Sequence, residues 1–176
     1  MDASELAKSA PAFADATGVA SGRCFRDAMA QVASSVAVIT VMDRGEVHGI
    51  TVSSLISLSV EPPMILLSLR AGSQMLTRIY YQKAFGVTVL AEDQEDIARL
   101  CADPARAALP RSILAMTAAG VPTIADACAH LEVLPAAHLP FADHVTLFGL
   151  VFGAEHSDKR PLLYHRRQYR RLDQAS

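Results

Sequence analysis

Pro62 and Pro63 stand side by side between two apolar runs, "GITVSSLISLSV" and "MILLSL". Neither has an N–H to donate, so no strand ladder passes through them unbroken. On the near side Leu58 and Val60 alternate with Ser57 and Ser59, the period of a half-buried strand. On the far side Met64 to Leu69 reads as a buried strand. A chain so interrupted is built from short paired strands, and its neighbours repeat the pattern. "VAVITV" (36–41) is compact and β-branched, a strand by composition. "MDRGE" supplies a turn in which Gly45 takes positive φ. "VHGITV" returns as the partner of a hairpin. "FGVTVL" (85–90) is a further strand, as are "AHLEVL", "HVTLFGLVFGAEH" and "PLLYHRRQYRRL". Gly149 and Gly153 mark bulges or close approaches in the long one.

Helical periodicity is confined to short stretches. "FRDAMAQVA" places Phe25, Met29, Val32 and Ala33 on one face. Gly72 breaks a strand and Ser73 stands at a helix N-cap position, with Leu76, Ile79 and Tyr80 as the apolar face that follows. "EDQEDIARLCA" is acidic in its first turn and turns Ile97, Leu100 and Cys101 inward. From Asp103 to Val121 the pattern fades into a loop with room for a short helical piece. Seven or eight strands, two or three helices and no regular β–α alternation predict an antiparallel barrel, not a doubly wound sheet. We read residues 1–22 as a mobile arm rich in Ala, Ser and Gly, with no basic-then-apolar leader. Residues 23–173 read as one domain.

Charge and motifs exclude several functions. The net charge of −2 makes no electrostatic case for nucleic acid or an anionic membrane, and no apolar run reaches the ~20 residues of a spanning helix. "YHRRQYRR" is basic, but on a strand its arginines divide between two faces. Cys24, Cys101 and Cys128 are odd in number and form no CxxC pair; they read as core fillers of a cytoplasmic protein. His48, His130, His138, His144, His156 and His165 show no metal-ligand spacing, so no metal is expected. No GxGxxG or Walker motif is present. Thr51, Ser53 and Ser54 admit two readings: turn hydroxyls satisfying local backbone, or donors to an anion, paired with the helix that opens at Gly72 and Ser73 between Arg70 and Arg78.

The run "FRDAMAQVASSVAVITV…GEVHGITVSSLISLSVEPPMILLSL…FGVTVLAEDQ", followed by "ADHVTLFGLV" and "PLLYHRRQYRRL", resembles the flavin reductase-like, FMN-binding split-barrel family, in order and over residues 24 to 172. Members are reductase components of two-component flavin monooxygenases; the short middle segment is most similar to the styrene or indole monooxygenase type. The resemblance implies a mainly β, Greek-key split barrel that forms a homodimer. It implies an NAD(P)H:flavin oxidoreductase that reduces free FMN or FAD with NADH or NADPH and supplies a partner monooxygenase or halogenase. The alternative is a flavin-binding protein without turnover. Thr51, Ser53, Ser54 and Leu55 would contact the flavin, Ser68 and Leu69 would present backbone to its ring, Ser73 would hold phosphate, and His144 would be the catalytic-site histidine near the nicotinamide, its tautomer fixed by Asp143. The cofactors carry the hydride chemistry, which accounts for the lack of a catalytic triad. The chain departs from the family at Ser35 and Arg167, where glycine is common, at Ser53 in place of asparagine, and in a shortened loop from Asp103 to Gly120.

Overall fold

The structure, a computed structural model, describes residues 20–103 and 108–172. Seven strands form the main sheet, in the order β3-β2-β6-β9-β10-β5-β4. They are β2 (Ala37–Asp43), β3 (Glu46–Val52), β4 (Ile56–Val60), β5 (Pro63–Arg70), β6 (Phe85–Val89), β9 (Ala129–Phe141) and β10 (His144–His156). All their pairings are antiparallel, as the strand-rich, non-alternating sequence predicts. Two small sheets flank it: β1 (Ser34–Ser35) with β11 (Leu163–His165) and β12 (Gln168–Arg170), and β7 (Leu114–Met116) with β8 (Pro122–Ile124). Three α-helices are described, α1 (Gly22–Met29), α2 (Gln74–Tyr81) and α3 (Glu95–Ala102). Among the described residues no helix is long and apolar enough to cross a membrane.

β2 separates two apolar cores. Ala37, Ile39 and Val41 enter the barrel interior, where they meet Leu67, Leu69, Ile79, Phe85 and Val133. Val36 and Val38 enter a second core with Ala98, Cys101, Leu109 and Leu162 beneath α3. The hairpin turn falls on Arg44 and Gly45, both at positive φ. Gly149 is a close-approach point, since a Cβ there would lie 2.2 Å from Val133 Cγ1. The register shifts beside it and again before Gly153.

Several expectations are corrected. α1 ends at Met29 with Ala30 as its C-cap, short of Val32 and Ala33, and Phe25, Met29 and Val32 are exposed. Its N-cap is Ser21, whose hydroxyl accepts from Cys24 N, so the domain begins within the stretch read as an arm; residues 1–19 lie outside the described ones. "LYHRRQYR" is a hairpin, not one strand, because Arg166 and Arg167 both adopt positive φ and reverse the chain. β9 runs on through "PAAHLPF", carried by its pairing with β10. The fading segment holds a 3-10 turn, Arg111–Ile113, where a short helical piece was expected, and also a strand, β7, which pairs with β8 just beyond it. Leu58 and Val60 are exposed, not half-buried, because no other element among the described residues covers them on β4. Cys101 and Cys128 are buried, as core fillers should be, but Cys24 is exposed.

Candidate functional site

β3 and β4 lie at opposite ends of the sheet order, yet only residues 53–55 connect them. Four residue steps span at most about 14 Å, so the sheet curls until its ends approach, and β3 faces the last residues of β5 across a split. A groove of about 410 Å³ opens there. One wall is His48, Gly49 and Ile50 of β3. The other is Arg70 of β5, Gly72, Ser73 and the first turn of α2, with Arg78 one turn further on. The end of α3 and Leu109 close it; a Cβ on Gly49 would lie 2.6 Å from Leu109 Cδ1.

The second wall is electropositive. Gly72 at φ 80 ends β5 and turns the chain into α2. Ser73 N donates to Arg70 O, while the Ser73 hydroxyl makes no capping bond. The first amides of α2 have no intrahelical acceptor and carry the positive end of its dipole. Arg78 donates through a terminal nitrogen to Gln74 Oε1 at 3.2 Å. Its buried Nε lies 3.4 Å from Asp43 Oδ2 but makes no hydrogen bond among the described residues. An arginine on the wall beside a helix N-terminus and an uncapped serine hydroxyl is the kind of donor set a phosphate site uses. The groove therefore fits a phosphorylated cofactor in both volume and chemistry.

Asp143 and His144 stand next to this wall. Ala71 N donates to Asp143 O at 2.9 Å, and His144 is the register partner of Arg70. His144 Nδ1 lies 2.8 Å from Asp143 Oδ1. The hydrogen bond from His144, then its charge, holds the Asp143 carboxyl below its usual range, so it is ionised at neutral pH and accepts from Nδ1–H. That leaves Nε2 as the outward-facing ring nitrogen. The ring is 45% exposed on its side chain and does not itself line the groove.

The remaining sequence-selected residues are divided among other contacts. Thr51 Oγ1 donates to Ala98 O of α3 at 2.7 Å. Ser54 Oγ donates to Ser68 O and accepts from Ser68 N, both at 3.1 Å. Leu69 is buried in the barrel core and Leu55 packs against it. Ser53 is exposed. Thr51 and Ser53 line a second cleft of about 200 Å³ with Tyr164 and Tyr169; it shares Ala102 with the groove. Burial pushes the Tyr169 phenol up, with the nearby Arg99 charge acting the other way; that guanidinium stacks over its ring at 5.0 Å. The sequence reading missed His48, Leu109 and this tyrosine pair. Gly49 was the available signal, a strand glycine marking a close approach. The described residues hold no cluster of three or more metal-ligating side chains.

Comparison with known proteins gives a consistent picture. The flavin reductase like domain profile matches residues 29–173. An NADH:riboflavin 5'-phosphate oxidoreductase of Streptomyces pristinaespiralis is 35% identical over 149 residues, 82% of this chain and 85% of the relative. The styrene monooxygenase flavin reductase of Pseudomonas putida S12 superposes with a TM-score of 0.80 at 29% identity, covering 86% of this chain and 99% of that one. An NADH:FAD oxidoreductase of Streptomyces globisporus, solved with NAD and FAD fragments, gives 0.82 at 28% identity over 90% and 98%.

Proposed function

The chain belongs to the flavin reductase like domain family, and from that premise we propose that the groove at the barrel split binds the phosphate end of a flavin while NADH is met at the rim held by His144. The protein is an NADH-dependent flavin oxidoreductase, the activity named for its relatives. It supplies reduced flavin to a separate monooxygenase or halogenase, as befits a chain similar to the reductase components of two monooxygenases and a tryptophan halogenase. Bound together, the nicotinamide and flavin supply the hydride transfer themselves. The chain's residues bind and orient. Ser73, the first amides of α2 and Arg78 hold phosphate. Arg70 adds charge at the rim. Ser53 offers its hydroxyl from the facing loop, while Leu55 and Leu69 back that loop from the barrel core and Ser68 holds Ser54. His144, its Nδ1 engaged by Asp143, presents Nε2 toward the nicotinamide. Both FMN and FAD carry the phosphate that this donor set recognises.

A second copy of the chain covers the outer face of β4, β5 and β10 in this reading. Directly opposed residues share one face of an antiparallel sheet. Ile56, Leu66 and Phe148 form one outward row and Met64, Leu150 and Leu134 the next. Ser68 with Thr146, then Arg70 with His144, continue the same columns. The apolar rows thus run into the polar rim, so a partner seated on them would border the groove.

The observation that carries the flavin reading is that Arg78, Ser73 with its uncapped hydroxyl and the α2 N-terminus share one groove wall. It is tested by NADH oxidation with no flavin, FMN or FAD. Turnover is expected only with flavin, and Ser73→Ala should raise the flavin KM by about tenfold, the loss of one charge-assisted hydrogen bond. A folded Ser73→Ala variant with unchanged flavin KM would overturn the phosphate assignment. Absence of NADH consumption by folded, flavin-binding protein would leave a binding protein without turnover.

A further inference from the structure

Ser54 sits where the barrel is open. β4 pairs with β5 only from Pro63 to Leu66, so beyond Leu66 that edge of β5 has no partner strand. An unpaired edge exposes backbone donors and acceptors, and here a single side chain replaces the missing strand. Ser54 Oγ accepts from Ser68 N and donates to Ser68 O, which occupies both groups that a β-ladder would use. Three residues earlier Thr51 Oγ1 ties β3 to the Ala98 carbonyl of α3. Of Thr51, Ser53 and Ser54, two are therefore committed to protein partners, one across the split and one to the helix that ends at the groove. Ser53 alone points to solvent.

We propose that Ser54 is a positioning residue: its hydroxyl braces the connection between β3 and β4 against β5 and so fixes the width of the split before flavin arrives. This rests on the flavin reading above and departs from what the family resemblance implies, because Ser54 then acts through Ser68 and not by touching the flavin. A groove held open to the right width loses less conformational entropy when ligand binds. Loss of the brace should therefore weaken binding while leaving the hydride step, which involves no Ser54 atom, nearly unchanged. The neighbouring Thr51 anchor keeps the loop on α3 when Ser54 is altered, which makes the substitution tolerable to the fold.

The test has one arm that needs no ligand. In ligand-free Ser54→Ala, the Ser68 amide should exchange with deuterium faster than in the parent, since its only side-chain acceptor is gone. In turnover the same variant should show a flavin KM raised about tenfold, the scale of two neutral hydrogen bonds, with kcat within about twofold. Ser54→Thr keeps the hydroxyl and should restore both readings. Unchanged exchange at Ser68 would overturn the brace. So would faster exchange with unchanged flavin KM, or a fall in kcat as large as the change in kcat/KM. If Ser54→Ala does not fold, Ser54→Cys keeps the size with a weaker hydrogen-bonding group and is read by the same criteria. Failure of the parent to oxidise NADH would strike the functional reading alone, and the exchange arm would still decide the brace.

Discussion

Ile39 and Ile56 carry the same side chain on strands of the same sheet, yet Ile39 is 0% exposed and Ile56 54%. Both lie in β-branched, apolar runs that read as strands. The difference is what lies over each strand. β2 has β3 on one side and β6 on the other, and it carries a core on each face. β4 has only β5 beside it, and no residue from Ile56 to Val60 is fully buried. Burial is thus decided by what the topology lays over a strand, not by the strand's own composition. On β2, even the polar residue is enclosed. Thr40 is 0% exposed and its hydroxyl donates to Pro122 O on β8, whereas Ser53 and Ser57, beside and within β4, are exposed.

The sharpest test of this contrast is Ile39→Ala. Truncation would leave a cavity among Leu67, Ile79, Phe85 and Val133, neighbours in a core closed on all sides. Such sites lose about 2–5 kcal/mol, and chemical denaturation should show a lower midpoint without a change of slope. A smaller loss is expected for Thr40→Val. The shapes match, so packing is kept, but the Pro122 carbonyl loses its donor. A buried, unsatisfied acceptor costs about 1–3 kcal/mol. If Thr40→Val were neutral, water would have to reach Pro122 O, and the second core would not be sealed where β8 crosses β2.

The same contrast explains what could be read from the chain beforehand. The hairpin at Arg44–Gly45, the helix start at Ser73 and the bulged β10 were legible, because each is marked locally by glycine: Gly45 and Gly72 at positive φ, Gly149 and Gly153 beside register shifts. Residues paired by long-range contact were not. The extension of β9 through two prolines depends on β10 lying beside it. The reversal at Arg166–Arg167 lacks a glycine altogether; two non-glycine residues accept positive φ at about 1 kcal/mol or more each. That hairpin is held by Arg166 N on Ala30 O and by an Arg167–Asp27 ion pair with α1, partners more than a hundred residues away. In the candidate site, Ser73 and Arg78 were visible from motif and spacing. His48 and Leu109 were not, since a groove wall made by two distant segments leaves no mark within either. The hydroxyl loop stands out in the sequence, but its division into anchors and an exposed group depends on where α3 and β5 lie.

Ile56→Ser is the substitution with the smallest expected effect on the chain itself, and it probes the uncovered half of the comparison. An exposed position away from caps, cavities and buried polar groups changes stability by about 0.5 kcal/mol or less. Unfolding measured on dilute monomer should therefore hardly move. The assembly should respond differently. Ile56 sits at the end of the outward row with Leu66 and Phe148, on the face proposed to receive a second copy. Removing a well-packed apolar contact from an interface core costs more than about 1 kcal/mol, nearly a tenfold weaker dimer for each 1.4 kcal/mol. Sedimentation over a concentration series should show the parent's dimer shifting toward monomer in Ile56→Ser, with no change in secondary structure. A serine variant that stays dimeric at every concentration where the parent does would place the second copy elsewhere, and β4 would then be a strand whose apolar face simply meets water.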